Sequence, residues 1–113
     1  MASPLSAERA ARNESVFRNA NERIQQHLGD LSLLEGRSPF LCECDDPLCA
    51  EPVRLTAKEY ETIRSHPRRF VLAAGHSAGD AAVVERNAGY VVVEKRGAEG
   101  SLAEALDPRQ ARP

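Results

Sequence analysis

A chain of 113 residues with 42% hydrophobic side chains has the size and apolar content of one small globular domain. Aromatic residues make up only 4% and tryptophan is absent, so the core must be built from Val, Leu, Ile and Ala around Phe17, Phe40, Phe70, Tyr60 and Tyr90. A formal net charge of −2 gives no overall attraction to nucleic acid or to an anionic membrane, and no run of residues is apolar enough to span a bilayer. Glu8, Arg9, Arg12 and Glu14 fall where a signal peptide needs an unbroken apolar stretch. The expectation is a cytoplasmic protein with no membrane partner.

After a short frayed start, Ser6 to Leu28 has helical period: Ala10, Phe17, Ala20, Ile24 and Leu28 share one stripe. Glu14, Arg18 and Glu22 repeat every fourth residue on the other face, and Gly29 is placed to end the helix. Leu31 to Ser38 reads as a connector. Phe40 to Cys44 reads as a strand with Phe40, Cys42 and Cys44 on one face, followed by an Asp45-Asp46-Pro47 turn. Pro52 to Leu55 is extended. Thr56 and Glu59 have the spacing of a capping box, with Leu55 and Tyr60 as its hydrophobic staple, so a helix is predicted over 57–65. His66 before Pro67 closes it.

Arg69 to Ala73 reads as a second strand ending at Gly75-His76. Ala81 to Arg86 and Tyr90 to Lys95 read as a hairpin joined at Asn87-Ala88-Gly89, with Gly89 in the left-handed position. Asp80 capping a short helix through Glu85 is the alternative for the first of these segments. From Gly97 onward the chain is small, polar and ends in proline, and it is read as a disordered tail over 97–113 behind a single domain over 1–96. The fold class is α+β: a long N-terminal helix and one short helix packed on a small antiparallel sheet.

Chemistry concentrates at Cys42-x-Cys44-x4-Cys49. Residues two apart on a strand point the same way, and the Asp-Asp-Pro turn returns Cys49 toward them. Thiolates this close need a cation to neutralise them, and in a reducing compartment zinc is the natural one. A reversible disulfide and inert buried thiols are the other readings of the same spacing. The fourth ligand is expected to be His76, since a strand end beside Gly75 is free to aim a side chain at the cysteine turn. That expectation assumes that strand 70–73 pairs with strand 40–44. His66, Asp45, Asp46 or a water are the alternatives. His27, at the end of the first helix, suits a capping role.

The run from Phe40 to Lys95 resembles a group of small bacterial proteins frequent in actinobacteria. Cys42, Cys44 and Cys49 are followed there by Leu55-Thr56 with Glu59-Tyr60-Glu61, Arg69-Phe70-Val71, Gly75-His76 and the Tyr90 to Lys95 strand. The opening helix from Arg12-Asn13-Glu14 to Ile24 is similar as well. The resemblance implies no particular activity, and it favours His76 as the ligand. No nucleophile elbow, Ser-His-Asp set or phosphate loop is visible, and three cysteines plus a histidine leave a zinc ion no open position, so the chain is not expected to be an enzyme. Glu43, between two cysteines, faces away from them on an alternating strand. The function expected is a zinc-binding regulatory or protein-interaction module with an unknown protein partner. Alternatives are nucleic-acid binding through Arg64, Arg68 and Arg69, a thiol redox switch, or a zinc enzyme.

Overall fold

The computed structural model describes residues 4–31, 35–49 and 51–109. Parts of the expected connector (32–34) and of the expected tail (110–113) lie outside the described residues. Elements follow in the order α1 (Pro4–Asp30), β1 (Ser38–Leu41), β2 (Pro52–Leu55), α2 (Ala57–Arg64), β3 (Arg69–Ala73), β4 (Ala81–Arg86), β5 (Tyr90–Lys95) and α3 (Gly97–Ala105). The fold is α+β, with two small antiparallel sheets rather than one: β1–β2, and a three-stranded sheet in the order β3-β5-β4. Phe40 lies opposite Val53 in the first, and Val71 opposite Val92 in the second. The segment over 81–86 is strand, with a register shift between Val83 and Glu85 that breaks its ladder with β5. The hairpin turn is closed by the Asn87 N–H donating to the Tyr90 carbonyl at 2.9 Å. Gly89 is not among the positive-φ glycines, which are Gly36, Gly75, Gly79 and Gly97.

The core lies where α2 and the two sheets meet. Thr56 Oγ1 accepts from the Glu59 N–H at 3.0 Å and Glu59 Oε1 accepts from the Thr56 N–H at 2.8 Å, so the capping box forms as the sequence indicates. Leu55 and Tyr60, the staple residues, are both fully buried. The Tyr60 ring stacks on Phe40 with centroids 4.7 Å apart, which joins α2 to β1.

Helix α1 departs most from its sequence pattern. It contains Gly29 rather than ending at it, and its buried face is polar: Glu14, Ser15, Arg18, Asn21 and Glu22 are buried alongside Ala11 and Leu28. Ala10, Phe17, Ala20 and Ile24, the expected apolar stripe, are only half-buried. The reason lies in the partners that distant segments bring to the polar face. Lys95 Nζ donates to Glu14 Oε2 at 2.7 Å and to the Ala78 carbonyl at 2.7 Å. Arg18 donates to the carbonyls of Pro67 at 2.8 Å and Ala103 at 2.7 Å, with its guanidinium 4.4 Å from the Phe70 ring centre. Glu22 accepts from Arg64 Nε at 2.8 Å and from Arg109 Nε at 2.9 Å. With Glu14 and Glu22 paired to cations and Arg18 hydrogen-bonded to carbonyls, the helix can bury the face that composition alone assigns to water.

The C-terminal segment corrects the tail reading. Gly97–Ala105 is a helix that packs on α1, with Gly100 and Ala103 buried, and Asp107 beyond it is buried against Arg64. Its N-cap, Arg96, makes no side-chain capping bond, and two glycines lower its helix propensity, so local signals for it are weak. Gly100 packs closely under Arg68: a Cβ there would sit 2.6 Å from Arg68 Nη1, so a larger residue would have to displace that side chain.

Two measurements test this polar seam. Arg64→Met leaves Asp107 buried without its cation and should cost about 3 kcal/mol or more in urea unfolding. Burial raises the Glu14 carboxyl to about 7, against the lowering effect of Lys95. The folded chain then holds this proton more tightly than the unfolded one, so the contribution of Glu14 to stability falls as pH rises from 4.5 toward 7. Wild-type stability measured relative to Glu14→Gln should drop by on the order of 3 kcal/mol over that interval.

Candidate metal centre

The Cys42, Cys44 and Cys49 sulfurs and a ring nitrogen of His76 all lie within 4.8 Å of one another. His76 Nδ1 is 3.6 Å from Cys42 Sγ and 3.6 Å from Cys49 Sγ. Cys42 and Cys44 are buried, whereas Cys49 and His76 are half-buried. The four expected ligands are therefore brought together. His27 and His66 are exposed and stand outside the group, as do Asp45 and Asp46.

The route to this arrangement differs from the expected strand pairing. β1 stops at Leu41 and pairs with β2, so residues 42–44 belong to no ladder. They run instead along the open edge of β3. The Glu43 N–H donates to the Val71 carbonyl at 2.8 Å, and the Val71 N–H donates to Glu43 Oε1 at 3.0 Å. The Ala73 N–H donates to Cys42 Sγ at 3.2 Å. One thiol and one carboxyl thus occupy backbone groups that another strand would otherwise have taken. This docking carries the cysteines to the end of β3, where a four-residue turn begins. Its hydrogen bond runs from the His76 N–H to the Ala73 carbonyl at 3.1 Å, and Gly75 takes φ +85° at its third position, which is type II geometry. The turn swings His76 back over the cysteines.

On the far side, the Asp46 carbonyl accepts from the Cys49 N–H at 3.1 Å, and Asp46 Oδ1 accepts from the Leu48 N–H at 3.0 Å. These bonds hold the turn that returns Cys49. A cleft of about 270 Å³ lined by Cys44, Asp45, Asp46, Gly75, His76 and Ser77 opens the centre to solvent on its histidine side.

Glu43 does turn away from the sulfurs, but into the core instead of toward solvent. Its Oε2 accepts from the Tyr60 hydroxyl at 2.7 Å and from Asn21 Nδ2 at 2.9 Å. Asn21 also bridges the Leu41 N–H and carbonyl, at 2.7 and 2.9 Å. Burial raises the Glu43 carboxyl, while these donors act in the opposite direction. Alternation placed this residue opposite the cysteines. Nothing local marked Asn21 and Tyr60 as its partners. Burial likewise raises the Cys42 and Cys44 thiols, which therefore resist ionisation unless a positive charge offsets their desolvation.

The arginines read as a nucleic-acid patch are engaged elsewhere. Arg64 is buried between Glu22 and Asp107, Arg68 meets Glu104 at 2.5 Å, and Arg69 meets Glu94 at 3.1 Å. An α+β domain with a Cys3His cluster is what fold and site define. No protein-family profile, curated protein or solved structure matches the chain.

The Gly75 turn generates a prediction. A Cβ at Gly75 meets nothing within 4 Å, so a substitution there costs only the strain of positive φ. Gly75→Ala should lose about 1–2 kcal/mol in chemical denaturation, and Gly75→Asn less, because asparagine tolerates the left-handed region.

Proposed function

We propose that this chain is a zinc-stabilised protein-interaction module of the cytoplasm, in which Cys42, Cys44, Cys49 and His76 hold one structural ion. The observation that carries the reading is the pair of 3.6 Å separations from His76 Nδ1 to two sulfurs. Zinc bonds of about 2.3 Å to sulfur and 2.0 Å to nitrogen at tetrahedral angles give a sulfur–nitrogen edge of about 3.5 Å. The donor set fits as well: thiolates and imidazole suit zinc better than magnesium or calcium, which take oxygen. When bound, the ion supplies the positive charge that lets the buried thiols ionise.

A structural role is supported by the count of donors. Four protein ligands complete a tetrahedron and leave no position for water or substrate. Glu43, between the first two cysteines, is turned into the core and occupied by Tyr60, Asn21 and Val71. Neighbouring thiols survive unoxidised in a reducing compartment, which is the basis for the cytoplasmic assignment. No helix among the described residues is long and apolar enough to cross a membrane. The interaction role draws support from apolar side chains left in water, Leu48 at 88% and Val16 at 63% exposure.

Purified chain should contain about one zinc per molecule by elemental analysis. Cys42→Ser, Cys44→Ser, Cys49→Ser and His76→Ala should each lower that content, whereas His27→Ala and His66→Ala leave it unchanged. Chelation should reduce the melting temperature by on the order of 10 °C or more. Because the thiolates must be deprotonated to bind, affinity weakens as pH falls. A chain that purifies without metal and melts at the same temperature with or without chelator defeats the proposal.

A further inference from the structure

Two exposed surfaces stand side by side with opposite charge, and each has an apolar centre. The outward face of α1 presents Arg9, Arg12, Val16, Asn19 and Arg23 at alternating spacings of three and four residues, all exposed. Glu8 meets Arg12 at 3.4 Å, an exposed pair that leaves the face basic overall. The second surface is the tip of the cysteine loop, Asp45-Asp46-Pro47-Leu48. Leu48 is 88% exposed, held outward by the bond from its N–H to Asp46 Oδ1 and by Cys49 immediately after it. A side chain displayed on a stapled turn loses little conformational freedom when it docks. Asn13 Nδ2 reaches the Asp45 carbonyl at 3.4 Å, which sets the acidic tip beside the basic helix within one chain.

We propose that the partner of this module is a second copy of the same chain, with the Asp45–Leu48 tip of each copy seated on the Arg12–Val16–Arg23 face of the other. This rests on the metal-stapled reading above, since the ion would anchor Cys44 and Cys49 at the two sides of the tip. Surfaces that are complementary and adjacent on one molecule can be exchanged twice around a two-fold axis, which closes the assembly at two chains. A polyanion suits the arginines of α1 but not the aspartates and the leucine next to them, so protein fits this face better than nucleic acid. Exposed charges supply much of the complementarity, so the dimer is weak and salt-sensitive.

Sedimentation equilibrium of the zinc-loaded chain tests this. At low salt the average mass should climb with concentration from 12.3 kDa toward twice that value, and added salt should return it toward the monomer. Leu48→Asp and Val16→Asp should each weaken association about tenfold or more, with zinc content and circular dichroism unchanged. The Arg12→Glu/Arg23→Glu double variant should do the same. A zinc-loaded chain that stays monomeric at every concentration overturns the proposal while leaving the metal reading intact. So does a dimer indifferent to Leu48→Asp, or a monomer that binds labelled duplex DNA through Arg12 and Arg23. A metal-free chain whose dimer still depends on Leu48 instead removes the metal reading alone.

Discussion

A carboxylate placed between two cysteines would ordinarily be expected to face water. Glu43 is buried, and its two oxygens take hydrogen bonds from α1 through Asn21, from α2 through Tyr60 and from β3 through Val71. Taking a carboxylate out of water costs several kcal/mol, and those donors offset the cost only if all three elements arrive together. The constraint also works outward. With Glu43 fixed inside, the residues on either side are turned to the opposite face, and these are Cys42 and Cys44. The position of the sulfurs is therefore set from within the core, before any ion is considered.

The same logic explains why the sequence was legible in some places and misleading in others. Local chemistry announced itself well. Thr56 and Glu59 form their capping box, Phe40 and Tyr60 enter the core, and Gly75 makes the turn that aims His76. The capping box and the Gly75 turn depend on neighbours a few residues away, and the two rings are marked by strand alternation and the staple position. The face of α1 depends on Lys95, Arg64 and Arg109, which are far off in sequence. Periodicity could find that α1 is a helix, but it assigned Glu14, Arg18 and Glu22 to solvent because charge without a known partner belongs there. The helix after Gly97 carries little local signal for a related reason. Its stability comes from packing against α1 and from Arg68 lying over Gly100, not from its own propensity.

At the candidate metal centre, residue identities were legible and the assembly was not. Alternation grouped Cys42 with Cys44, and the Asp-Pro turn returned Cys49. The expected pairing of their strand with β3 does not occur as a ladder. Side-chain groups of Glu43 and Cys42 replace strand backbone as acceptors at that edge. A ladder would have run these residues flat against β3. The looser docking lets the loop leave the sheet plane, while Cys42 still sits within 3.6 Å of the histidine beyond the strand's end.

The polar seam bears on how the chain emerges from the ribosome. Glu14 meets Lys95 across 81 residues, and Glu22 meets Arg109 across 87. Helix α1 is therefore made long before the segments that cover it. An apolar face waiting that long would be a sticky surface on a nascent chain, open to association with other unfinished chains. A face of glutamate, arginine and asparagine stays hydrated while it waits, and gives up that water only when its counter-charges arrive. Matching the helix by charge rather than by grease ties the drying of this face to the arrival of partners 81 and 87 residues away.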